Sequence, residues 1–286
     1  MRKIIFGILC MVPTILFGQS FDTLWKQVEA ARKKDLPQTE QEALRKIVVK
    51  AEKEKAYGQL LKAELQGART QCEVSPDSLK PAVARLQQRE QALKDPALKA
   101  VYQTVLGSVY NMNPSLSDDA QERSKQYYDE ALKDPAMLAS VKSGDYKPFV
   151  EEGVDSRYYA GDLLSVIGYE TQRYDVLRDY YSKTSNREAA LMSSIALLSQ
   201  QMNGMYEKCE GSTCLARIDS LINVYADLPE VGEAAILYYR YMRDHTDATA
   251  KQQWDYLEMA LQRWGSWHRM NMLRNYMNRL KNIMMI

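Results

Sequence analysis

Apolar side chains return every three or four residues along this chain, and that rhythm constrains its fold more than any motif does. Leu191, Ile195, Leu198 and Met202 are spaced in this way, as are Leu215, Ile218, Ile222 and Tyr225, and Trp254, Leu257, Leu261 and Trp264. Each set lies on one face of a helix, because a repeat near 3.6 residues stacks its members into a single stripe. No stretch after the N-terminal apolar run alternates at the two-residue period of a half-buried strand. Pro37, Pro76 and Pro229 suit first helical turns, where a missing N–H costs nothing. Ser185 and Glu188 have the spacing of a capping box. The expected class is all-α, an array of about a dozen antiparallel helices of roughly 10–20 residues joined by short polar turns.

The hexapeptide ALKDPA occurs at 92–97 and again at 131–136. In each copy Ala-Leu closes a helix, Lys suits its C-terminus, and Asp-Pro opens the next, since Pro forbids helix at the residue before it. The offset is about one helical hairpin, near the repeat length of helical solenoids. The flanks differ, with AVYQTVLGSVY and MLASVKSGDYKPFV around the two copies, and the tetratricopeptide consensus is absent at its usual spacing. A degenerate helical-hairpin array, a tetratricopeptide-like solenoid, is therefore expected as a single domain over residues 19–286. Two stretches read as irregular. NMNPSLSDD (111–119) is a loop whose Ser or Asp caps the next helix, and SGDYKPFVEEGVDS (143–156) is a possible layer boundary.

Residues 1–18 have the layout of a secretory signal peptide: Arg2 and Lys3, an apolar run broken by Gly7 and Pro13, then Gly18 before QSFD. The mature chain is expected to begin at Gln19. Cys10 has no good lipobox around it, so a free periplasmic or secreted protein is expected rather than a lipid-anchored one. Losing Arg2 and Lys3 with the leader leaves 36 basic against 37 acidic side chains. A net charge so near zero gives no basis for nucleic acid or an anionic membrane surface as partner. No later apolar run approaches the roughly 20 residues needed to span a bilayer.

Export also bears on the cysteines. Cys209 and Cys214 sit in KCEGSTC, where Gly211 and Ser212 suggest a turn, and a bridge closing that loop is worth roughly 2 kcal/mol. Two free thiols, or a metal or redox pair, are the alternatives. No Cys or His stands near enough to complete a zinc site. Cys72 is expected to be unpaired and buried.

Few residues present themselves for chemistry. His245 and His268 lie in different helical segments, and neither has a ligand-type residue at metal spacing. There is no GxSxG elbow and no phosphate-cradling glycine loop. The neighbouring acids Asp118 and Asp119, or Glu151 and Glu152, point apart, whereas a glycosidase needs two carboxyls facing across a cleft. Aromatics are the unusual enrichment, with 19 tyrosines against 4 phenylalanines. Doublets fall at Tyr127-Tyr128, Tyr158-Tyr159, Tyr180-Tyr181 and Tyr238-Tyr239, with Tyr241, Trp264 and Trp267 beyond. On a helix, neighbours diverge by about 100°, so one ring of each doublet is expected to pack inward and the other to flank a groove.

Several stretches taken together resemble one family. SFDTLWKQVEAARKKDLPQTE, AEKEKAYGQLLKAELQ, DYKPFVEEGVDSRYYAGDLLSVIGYE, YDVLRDYYSKTSNREAAL, YADLPEVGEAAI and ALQRWGSWHRMNMLRN are similar, in that order, to the N-terminal helical region of large alpha-2-macroglobulin-like proteins of Bacteroidetes. The resemblance runs from about residue 20 to 275 and carries no catalytic motif. It implies an exported protein related to a protease trap, whose macroglobulin β-domains, bait region and thioester domain would follow the helices. The thioester signature, a cysteine followed by Gly-Glu-Gln, has no counterpart, since Cys72, Cys209 and Cys214 precede Glu-Val, Glu-Gly and Leu-Ala. A chain truncated before those domains is expected from this resemblance. The expected function is thus a non-catalytic, exported scaffold or interaction domain with no cofactor and no metal, whose partner is another protein or a downstream domain. The alternatives are a stand-alone helical-repeat protein that binds peptides or glycans, and an all-helical glycan-degrading enzyme.

Overall fold

The computed structural model of the protein describes residues 19–203 and 211–284, so the expected signal peptide, Cys10 and Cys209 lie outside the described residues. Among the described residues there are 14 α-helices and no strand; one isolated antiparallel bridge joins Lys142 and Asp162. No described helix is long and apolar enough to cross a membrane. The fold divides into two compact units. Of the described residues, one unit holds those up to Ala92 together with Gly144–Glu151, and the other holds Leu93–Ser143 and those from Glu152 onward.

The first unit is built from α1 (Phe21–Lys33), α2 (Pro37–Glu54), α3 (Tyr57–Val74) and α4 (Leu79–Ala92), with a 3-10 turn at Pro76–Ser78. Each helix packs on the next. Ser20 opens α1 by accepting the Thr23 N–H, while α2 relies on Pro37 in its first turn and has no side-chain cap. Leu24, Val28, Ala43, Leu44, Ile47 and Ala63 form one apolar core, with Phe21 and Trp25 against it. Ile47 is fully buried, so truncating it to Ala would cost about 2–5 kcal/mol in lost burial and residual cavity. A polar tie joins α2 to α3: buried Glu40 accepts from Gln66 Nε2 at 2.9 Å and from Thr70 Oγ1 at 3.2 Å. At Gly58 the backbone of α3 meets the 144–151 segment so closely that a methyl group would overlap the carbonyl oxygens of Tyr146 and Lys147. Only glycine fits there.

The second unit begins with α5 (Pro96–Met112), α6 (Ala120–Ala131) and α7 (Pro135–Ser140), and continues through α8 (Leu163–Glu170), α9 (Tyr174–Tyr181) and α10 (Arg187–Met202). It closes with α11 (Gly211–Val224), α12 (Val231–His245), α13 (Ala250–Trp264) and α14 (Asn271–Met284). Here α5 pairs with α6, α9 with α10, α11 with α12 and α13 with α14, while α10 also packs on α12.

Both copies of ALKDPA punctuate helices. Helices α4 and α6 end at Ala92 and Ala131, and Asp95 and Asp134 cap α5 and α7 by accepting the N–H of Leu98 and Met137, with Pro in the first turn each time. Elsewhere the boundaries differ from the sequence reading, each for a local reason. The cap of α10 is Asn186, one residue after Ser185: its Oδ1 accepts from Ala189 N–H at 3.0 Å while its Nδ2 donates to Tyr158 O at 2.9 Å. That second bond reaches a distant loop and fixes the choice. Pro229 lies in the turn before α12 rather than in its first helical turn. Asp119 stands at the cap of α6 without bonding its N–H groups, because its carboxylate is held by Arg123 Nε at 2.8 and 2.9 Å. Gly211 and Ser212 open α11 instead of forming a turn. Between residues 135 and 181 the helices are shorter than expected, with α7 spanning 6 residues and α8 and α9 spanning 8 each. Pro148, Gly153 and Gly161 interrupt that stretch, which includes 3-10 turns at Ser143–Tyr146 and Val154–Tyr159.

Candidate functional site

Of the residues singled out for chemistry in the sequence, Tyr158, Trp267 and His268 line one cavity of about 600 Å³, and the others are scattered. His245 is exposed at the end of α12 and stacks on Tyr241, ring centroids 4.8 Å apart. His268 is also exposed and lies 4.2 Å from the Trp267 ring, with Nε2 3.4 Å from Arg157 Nη2. Asp118, Asp119, Glu151 and Glu152 are all exposed. No group of three or more His, Cys, Asp or Glu able to hold a metal occurs among the described residues. Cys214 is fully buried and disulfide-bonded; Cys209, its expected partner, lies outside the described residues. Cys72 is a free thiol, but it is half-buried rather than buried as expected, because the end of α3 is only partly covered.

The tyrosines turn inward further than the doublet argument expects. In Tyr180-Tyr181 and Tyr238-Tyr239 one ring is buried and the other half-buried; Tyr158 and Tyr159 are both buried, and Tyr127 and Tyr128 are both half-buried. Tyr159 is the centre of one cluster, with ring centroids 5.6 Å from Tyr169 and 5.3 Å from Tyr181. Its hydroxyl lies 2.9 Å from that of Tyr169 and accepts from Ser193 Oγ at 3.4 Å. Tyr181 donates to Asp162 Oδ2, and Asp162 Oδ1 accepts the Ser165 N–H at 2.8 Å, which caps α8. Burial disfavours the charged phenolate, and it pushes Tyr169 up to about 12 and raises Tyr159 and Tyr181 well above the ordinary tyrosine value. A second cluster stacks Tyr238 on Tyr256 at 4.7 Å and Tyr239 against Tyr276 at 5.2 Å, while Tyr256 donates to Ala235 O at 3.0 Å. The Tyr159 and Tyr169 hydroxyls bond each other, whereas those of Tyr181 and Tyr256 are held by Asp162 and a backbone carbonyl.

The second unit also carries a polar groove of about 860 Å³. One wall is the outer face of α6, with Gln121, Lys125, Tyr128 and Asp129; the other comes from the α8–α9 turn, α10 and Arg217 of α11. Its lining is made of amides and charges, and Tyr128 is its sole aromatic side chain among the described residues. Arg173 braces the floor by pairing with Asp129 and, at 3.2 Å, with Asp175. Burial opposes the Arg173 charge, but the two carboxylates outweigh that cost and hold the guanidinium above its ordinary value. Gln172 adopts a left-handed backbone, φ 55°, which costs a non-glycine residue about 1–2 kcal/mol, and its carbonyl accepts from Gln200 Nε2 at 3.0 Å. Next to it Gln201 is only 7% exposed, and its Oε1 is buried with no hydrogen-bond partner among the described residues.

Sequence reasoning did not point to this groove, since its residues come from segments spread over 111–217. One signal was available. Gln201 follows Leu197 and Leu198 at steps of four and three, so an amide stands on the apolar stripe of α10. A polar residue at a core position calls for a partner. No family model matches the chain, and neither a curated protein nor a solved structure matches it.

Proposed function

We propose that this protein is an exported, non-catalytic helical scaffold and interaction domain, of the kind that forms the N-terminal helical part of alpha-2-macroglobulin-like protease inhibitors of Bacteroidetes. In this reading the succession of paired helices is a degenerate, tetratricopeptide-like hairpin array. The observation that carries the proposal is the internal use of the groups that chemistry would need. The most buried carboxylate of the second unit, Asp162, is committed to a helix cap and to Tyr181, and the Tyr159 and Tyr169 hydroxyls are bonded to each other. A carboxylate held in this way orders a core rather than moving a proton. The resemblance of the six sequence stretches and the leader-like residues 1–18 support export and the family relation.

The second reading, a stand-alone binder of peptides or glycans, is favoured by the amide-lined groove beside α6, so the two readings share an interaction role. Expressing the full chain in a diderm bacterium and weighing the exported product tests export, with a mass beginning at Gln19 expected. Incubating that product with panels of glycans and peptides tests the rest. Intact substrates are expected, and turnover abolished by one carboxylate substitution would refute the non-catalytic reading.

A further inference from the structure

We propose that the polar groove of the second unit binds an extended, acidic segment of a partner polypeptide, with Gln201 accepting one of its backbone N–H groups. The proposal rests on the reading of the chain as an interaction domain and names the chemistry of what is held. Gln201 is the starting point. The Gln201 side chain is more than nine-tenths buried and borders an open groove, and its carboxamide oxygen has no hydrogen-bond partner among the described residues, which is costly to keep. Such an acceptor calls for a donor brought by something else. Asn111, Gln121 and Gln200 line the same groove, and side-chain amides offer a donor and an acceptor together, which matches the alternating N–H and C=O of an extended peptide.

The charges select among peptides. Asp129 and Asp175 are spent on Arg173, and Arg178 pairs with Asp179 at 2.7 Å. Lys125 and Arg217 line the groove, both exposed, with no carboxylate partner among the described residues. Against them stands one lining carboxylate outside those pairs, Glu170, which accepts from Ser108 Oγ at 3.4 Å. Two unspent cations at a groove wall favour carboxylates on the incoming chain. A glycan is the weaker fit, because stacking a sugar needs a free aromatic face, and the ring of the one lining tyrosine, Tyr128, packs so closely on Gly107 that a methyl group there would overlap it.

Fluorescence anisotropy tests this with the full exported chain and a labelled octapeptide of alternating Gly and Glu. The same peptide with Lys in place of Glu, and unlabelled heparin as a polyanion without a peptide backbone, serve as comparisons. Saturable binding of the Glu peptide is expected, with neither the Lys peptide nor heparin competing comparably. Gln201→Leu should weaken binding about tenfold, the loss expected for one buried hydrogen bond. The same substitution should raise the melting temperature by about 2–4 °C, because it removes an unpartnered acceptor from the free protein. A structural role for Gln201 would instead lower it. The surface pair K125E/R217E, which leaves the core untouched, should abolish binding while the fold persists. No saturable binding by the native chain, equal competition by heparin, or Q201L and K125E/R217E proteins that bind as the native chain does would each overturn the proposal. Mass analysis of the recovered peptide separates the two claims. Cleaved peptide with Gln201-dependent binding would keep the groove and refute the non-catalytic reading, whereas absent binding with intact peptide would do the reverse.

Discussion

Replacing Asp162 with Ala removes two interactions at once from the interior of the second unit. Asp162 is 4% exposed, accepts the Ser165 N–H at the start of α8, and accepts the Tyr181 hydroxyl. Loss of a helix cap costs about 1 kcal/mol. Leaving the buried Tyr181 hydroxyl without its acceptor costs about 1–3 kcal/mol more. The expected total of about 2–4 kcal/mol lowers the urea midpoint by about 0.7–4 M, given slopes of about 1–3 kcal/mol/M. Near-UV circular dichroism is the right probe, because it reads the packing of the tyrosine rings themselves. Asp162→Asn keeps an oxygen for the cap and an amide toward the Tyr181 oxygen, so it should lose less than half as much. The double variant D162A/Y181F should lose less than the sum of the single variants, because each single change orphans the other group. A D162A protein within about 0.5 kcal/mol of the native chain, the range of ordinary surface changes, would refute this account of the core.

Glycines in α3 should respond with opposite signs: Gly58→Ala costs about 3 kcal/mol through overlap with the Tyr146 and Lys147 carbonyls, while Gly67→Ala, whose nearest contact is 3.5 Å, gains about 0.5–1 kcal/mol in helix propensity, both read by denaturant unfolding. Alkali should unfold the second unit as its tyrosines ionise. Because burial raises Tyr159, Tyr169 and Tyr181 in the folded chain, their contribution is complete below an unfolded value of about 10 and is lost as pH climbs toward and past about 12, so tyrosinate absorbance and loss of ellipticity should rise together above pH about 10. Peptide mapping without reduction should recover Cys209 and Cys214 in one linked fragment, with Cys72 alkylated slowly in the folded protein; free Cys209 from exported material would count against that pairing.

The helical class was legible because its cause is local. A stripe such as Leu191, Leu198 and their neighbours is a property of one segment, and Asp-Pro sets a helix start with its own backbone at 95–96 and 134–135. Boundaries failed where a distant group decided them. Nothing within TSNREAAL says that Asn186 will reach the Tyr158 carbonyl, and that bond moves the cap off Ser185. The capping box that does form, Thr249 with Gln252, was open to the same spacing rule in TAKQ. The tyrosine doublets revealed that rings would be buried but not that Tyr159, Tyr169 and Tyr181 would satisfy one another, since their meeting depends on how 3-10 turns and short helices fold back. The groove was hardest to foresee. Its walls join α6 to α10 and α11, and only Gln201, an amide on an apolar stripe, marked it in advance.

The central claim is that this chain acts by holding a partner and does not react with one. Incubating the exported protein with an excess of an active endoprotease, then separating the mixture under denaturing conditions, tests it most directly. Residues 151–154 are exposed, with Val154 77% accessible, so ordinary cleavage is expected there, with the protease recovered at its own mass and full activity. A protease–chain conjugate that survives denaturation would contradict the account, because holding a partner forms no covalent bond with it.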